Sequence, residues 1–183
     1  MDFSRYENLR TLVRANFSEQ TRALVDEALV YADGKLTGLC RYDGTPLLDH
    51  AVAVAMVVIS EVGPRPQLHG LGHLHDVVRL AHKRLPAEEF LALTADIRDR
   101  FGEQVVGITM GLANISELRL KVAKEQADNF AATWLVSYSE DPRVILIKLA
   151  DRLEVMRSLE MFPREKMAQE ELGVDEPLRP DRS

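Results

Sequence analysis

Four ionisable side chains sit where the surrounding sequence is apolar: His50, His75, Asp76 and Asp151. His50 falls among Leu47, Leu48, Ala51, Val54, Ala55 and Val58, whose spacings of one, three and four trace a buried helical face. His75-Asp76 interrupts another helical stretch, and Asp151 follows the apolar run of residues 144–150. A carboxylate in such surroundings costs several kcal/mol unless it is paired or bound to a metal. Two imidazoles and two carboxylates form a mixed N/O set suited to Mn²⁺, Fe²⁺ or Zn²⁺, with positions left for water or phosphate. Neighbouring helical residues point about 100° apart, so His75 and Asp76 can both reach one ion at a helix edge. His50 and Asp151 must then arrive from other helices. The plainer alternative makes the histidines satisfied core residues and pairs Asp151 with Lys148, three residues earlier. His73 points away from His75, and His69 and His82 stand in no special context.

The elements that must position these residues are helical. The chain has 183 residues, 46% hydrophobic and 28% charged, enough for one domain with a real core. Aromatic residues make up only 6%, which favours helix over sheet. Periodicity and punctuation predict helices over residues 19–33, 47–58, 66–84, 86–100, 103–113, 117–138 and 142–161, with a last one over 163–171. Residues 41–46 read as a loop, and no strand alternation stands out. The expected fold is all-α, about eight helices, with a domain over 1–171 and a polar tail or truncated continuation over 172–183. The longest apolar run, residues 51–59, is far too short to span a bilayer. One cysteine, Cys40, excludes a disulfide framework, and a net charge of −6 argues against non-specific nucleic-acid binding. No membrane partner and a cytoplasmic location are expected. The ten glycines are scattered, without a phosphate-cradling loop, and no serine sits in a nucleophile elbow.

Several segments resemble the N-terminal hydrolase domain of the RelA/SpoT homologues, the (p)ppGpp synthetase/hydrolase family. Gly38, Arg41, Gly44, Pro46 and His50 fit its G-x-x-R-x-x-G-x-P-x-x-x-H segment. His75-Asp76-Val77-Val78 resembles its H-D-V-V, and Phe101-Gly102 with Val105 its F-G-x-x-V. Residues 126–130 are similar to the lead into its long helix, and residues 141–153 with Met156-Arg157 form the most specific match. The resemblance covers residues 31–159. It implies an HD-type helical bundle holding Mn²⁺ through His50, His75, Asp76 and Asp151. It further implies a guanine nucleotide, ppGpp or pppGpp, losing its 3′-pyrophosphate to a metal-activated water. Arg41 matches the arginine that packs on the guanine base, and Arg79 and Lys148 complete the expected substrate-binding set.

The departures are specific. After H-D-V-V the family places Glu-Asp, which assist the attacking water, where this chain has Arg79-Leu80. Glu154-Val155 replaces a His-Asn pair, removing an amide expected at the ribose, and the stretch from Asp76 to Phe101 is longer. An arginine can grip phosphate but cannot accept a proton from water, and losing a general base typically costs ~10²–10⁴ in rate. The expectation is a metal-binding domain of the hydrolase type, weakened or inactive in hydrolysis. The alternative is a regulatory, guanine-nucleotide-binding pseudo-hydrolase domain of a larger synthetase. On either view, replacing Arg79→Glu and Leu80→Asp together is expected from the sequence to raise hydrolysis, by up to the ~10²–10⁴ that a positioned base contributes.

Overall fold

The computed structural model describes residues 6–41, 44–63, 66–122, 141–158 and 179–180. Within them seven helices carry the chain: α1 (Glu7–Asn16), α2 (Glu19–Leu36), α3 (Leu47–Val57), α4 (Pro66–Arg84), α5 (Ala87–Phe101), α6 (Glu103–Val122) and α7 (Pro142–Ser158). The all-α expectation holds. A π-helical turn, Val58–Val62, extends α3 to Gly63, whose φ of 95° ends the helix in a conformation that glycine adopts readily. The only strand pairing among the described residues is two residues long. Leu39–Cys40 (β1) lies antiparallel to Arg179–Pro180 (β2), a link within the stretch expected to be tail.

Two helices differ from the sequence expectation. Helix α1 is absent from the expectation, although Leu9, Leu12 and Val13 stand at helical spacings of three and four within a charged stretch. It forms because Leu9 and Val13 are buried and the Tyr6 hydroxyl donates to Asp49 of α3 at 2.8 Å. Helix α6 runs unbroken through Asn114-Ile115-Ser116, where a break was expected. Ile115 is buried against α3 and α7, so tertiary packing overrides the weak helix propensity of its neighbours. The part of the expected 117–138 helix beyond residue 122, the end of the expected 142–161 helix, the helix expected over 163–171 and most of the 172–183 tail lie outside the described residues.

Helix α4 is central, packed against α2, α3 and α6. One core cluster joins α1, α2 and α3 to Val77 and Leu80 of α4. A second joins α3, α6 and α7, and a third joins α2, α4, α5 and α6. Helices α3 and α4 lie in close contact at Gly72, where an added Cβ would lie 2.6 Å from the Ala55 Cα. Alanine ordinarily favours a helix over glycine by ~1 kcal/mol. At this crossing the sign reverses. Gly72→Ala is expected to destabilise the fold by about 1–3 kcal/mol through overpacking, read as a lowered Tm in thermal unfolding. A raised Tm would mean that the two helices can part without cost.

Candidate metal centre

The α3–α4 crossing brings His50, near the start of α3, against His75 in the middle of α4. Their ring centroids lie 6.0 Å apart. His75 Nδ1 lies 2.8 Å from the Gly72 carbonyl, so this nitrogen donates and Nε2 carries the lone pair. His75 Nε2 is buried and has no hydrogen-bond partner among the described residues; the same holds for Asp76 Oδ2. The two atoms are 3.6 Å apart, and Asp76 Oδ2 is 3.8 Å from His50 Nε2. Donors ~2.0–2.2 Å from a shared ion stand at about these separations. One ligand atom from each of His50, His75 and Asp76 lies within 4.8 Å of the others, so these three could hold a metal ion. Orphaned buried atoms converging on one point are what such an ion would satisfy.

Asp151 reaches the same place from α7. Its Oδ1 is 3.2 Å from His50 Nε2, and its Oδ2 accepts from Lys148 Nζ at 2.5 Å. The Lys148 pairing weighed as the plain alternative is therefore present, together with the contact to His50. Asp76, 1% exposed, is held by Arg79, whose Nε and Nη2 donate to Oδ1 at 2.9 and 2.7 Å. Arg79 lies on the His75 face, as its spacing requires. Glu154 Oε2 stands 2.6 Å from His50 Nδ1 and 3.5 Å from Arg41 Nη1. Three carboxylates thus each face their own cation. With neutral imidazoles the cluster sums to zero charge, and a divalent ion would make it +2.

These neighbours set the ionisation. Burial opposes charge on His50, but its bonds to Asp151 and Glu154 and the nearby Asp76 push its pKa up to about 9. Burial alone would raise the Asp76 carboxyl; His75, Arg79 and His50 hold it well below the usual carboxylate range. Asp151 is likewise lowered against its burial, chiefly by Lys148 and His50.

The other sequence candidates are placed as follows. Arg41 is buried and directed at His50 and Glu154, with Nη1 3.3 Å from His50 Nδ1. A tight turn sets it there: the Arg41 N–H donates to Thr45 O, and the Gly44 N–H to Arg41 O. Leu80 is 8% exposed and belongs to the core shared with α1, α2 and α3. His73 is buried, and the His82 ring meets Phe90 edge-on, away from the cluster. Residues 126–130 lie outside the described residues. Glu154 was noted only as a departure from a motif. Its signal was the Asp151-x-x-Glu154 spacing, which puts both carboxylates on one face of α7.

A family model described as an HD domain matches residues 28–180. The chain belongs to the HD-domain family. Its HD domain is similar to those of known (p)ppGpp enzymes. The chain is 31% identical over 177 residues to the bifunctional (p)ppGpp synthase/hydrolase SpoT of Escherichia coli K12, covering 94% of this chain and 24% of that protein. A guanosine-3′,5′-bis(diphosphate) 3′-pyrophosphohydrolase of Aquifex aeolicus is 32% identical over 157 residues, 84% of this chain and 21% of the relative. A GTP pyrophosphokinase of Streptomyces coelicolor is 31% identical over 178 residues, 94% and 20%. The chain therefore spans a quarter or less of these larger relatives. Among the described residues, no helix is long and apolar enough to cross a membrane.

Proposed function

We propose that this HD domain binds Mn²⁺ through His50, His75, Asp76 and Asp151 and uses the loaded centre to hold a guanine nucleotide of the ppGpp or pppGpp class. The observation that carries this reading is the pair of orphaned atoms, His75 Nε2 and Asp76 Oδ2, facing His50 inside a cluster whose carboxylates each face a cation. When bound, a divalent ion polarises a phosphoryl oxygen and lowers the pKa of a water. Arg79 and Lys148 supply guanidinium and ammonium groups that can turn from their carboxylates to phosphate oxygens. Arg41 can serve a guanine base only by leaving Glu154.

Proton transfer is the weak point. Each of the three carboxylates already faces a cation, and Arg79 cannot accept a proton. Hydrolysis by the chain alone is therefore slow, and binding outlasts turnover. That favours the second reading, a regulatory nucleotide-binding domain attached to a synthetase, over a vigorous hydrolase. Purified protein mixed with Mn²⁺ and ppGpp is expected to bind the nucleotide by calorimetry only when metal is present, and to release GDP slowly. No binding by the Mn²⁺-loaded chain would overturn the nucleotide assignment; rapid GDP release would overturn the weak-hydrolase reading.

A further inference from the structure

We infer that Glu154 is a positioning residue for His50, fixing the imidazole that presents Nε2 to the metal centre; the inference rests on the metal-binding reading above. Helix α7 grips one ring at both nitrogens. Glu154 Oε2 lies 2.6 Å from Nδ1, and Asp151 Oδ1 lies 3.2 Å from Nε2. The three-residue spacing on one helical face makes this double hold possible. A carboxylate at hydrogen-bond distance from Nδ1 accepts a bond from Nδ1–H, which leaves Nε2 with the lone pair that a metal requires. His75 reaches the same state by another route, donating Nδ1–H to the Gly72 carbonyl. The two imidazoles are thus both set to offer Nε2, one by a backbone oxygen and one by Glu154.

Arg41 belongs to the same device. The Glu154 side chain is 14% exposed, so its charge needs a counter-ion, and Arg41 Nη1 stands 3.5 Å away. Glu154 therefore draws inward the arginine expected to meet the base, and couples the loop carrying Arg41 to a ligand of the centre. A substitution at position 154 acts on both.

The experiment compares Glu154→Leu and Glu154→Gln with the parent chain, using Zn²⁺ and Mn²⁺ as probes in competition with a chelating dye. Protein labelled with ¹⁵N-histidine reports the His50 Nδ1–H, and His50→Gln identifies the signal. The parent is expected to show a strongly hydrogen-bonded Nδ1–H. Glu154→Leu should lose it and bind metal about 10–100-fold more weakly. Glu154→Gln, which keeps an acceptor oxygen, should retain the bond and recover most of the affinity, a rescue that bulk packing would not give. Arg41→Ala should cost less in the Glu154→Leu background than in the parent, because the carboxylate it faces is already gone. Unchanged affinity and an unchanged Nδ1–H in Glu154→Leu would overturn the inference. A parent chain that binds neither ion but keeps the signal would overturn the metal-binding reading alone, leaving the grip of Glu154 on His50 standing.

Discussion

Asp76→Ala is expected to leave the chain unable to retain a divalent ion. Asp76 offers an oxygen already aimed at two imidazoles, buried and without another use. A tightly held ion shared among four ligands owes each of them roughly 3–4 kcal/mol, so one loss weakens binding by ~10²–10³. Elemental analysis of the parent should find about one ion per chain, and the variant close to none. Asp151→Ala should act in the same direction. In the parent, affinity should rise with pH towards about 9, because a proton on His50 competes with the ion for Nε2. Equal metal content in parent and Asp76→Ala would reduce the cluster to a structural one.

The paired change Arg79→Glu with Leu80→Asp is expected to destabilise the chain heavily and to raise no hydrolysis. From the sequence it is the natural repair, restoring the two carboxylates that the resemblance implies. The structure alters that expectation at both positions. Leu80 is packed in the core, where its burial contributes about 1.5–3 kcal/mol and an unpaired carboxylate costs several more. Arg79 is the cation on Asp76 Oδ1, and a glutamate would set a second negative charge beside a buried one. Breaking a buried pair costs about 3–5 kcal/mol, less here because the Arg79 side chain is a quarter exposed. Together these losses approach the whole stability of a domain, roughly 5–15 kcal/mol. Urea unfolding and GDP release, measured side by side, test this. A cooperatively folded double variant that hydrolyses ppGpp faster than its parent would show that residue 80 can turn out of the core. Arg79→Gln alone separates the two positions, removing the cation without adding charge.

The centre was legible because its members break the pattern around them. An aspartate after seven largely apolar residues, and a histidine on a buried helical face, need a reason to be there, and His50, His75 and Asp76 do converge. Glu154 escaped because a single glutamate near the end of a charged-looking stretch has no such contrast. Only the fold brings it across about a hundred residues to His50 Nδ1. Leu80 escaped for the opposite reason. Comparison with a motif assigns a position to a site, whereas burial against α1, α2 and α3 decides where its side chain goes. Among the helices, α4 announced itself through Pro66 and its long period, while the short i, i+3, i+4 pattern of Leu9, Leu12 and Val13 in α1 is easily passed over in a charged stretch.

The pairing of each carboxylate with its own cation has a consequence for the order of assembly. A zinc finger collapses without its ion because the ion is what joins its ligands. Here Arg79, Lys148 and Arg41 already hold the acidic groups in place, and three apolar clusters fasten the helices. On the proposed metal-binding reading, the polypeptide can therefore finish folding first and load metal afterwards. Chelation then empties the centre without dismantling the protein, and the ion's contribution to stability follows its free concentration by mass action. Metal supply then becomes a dial on how strongly the domain attracts anions, because the ion brings two positive charges where His50 alone carries at most one proton.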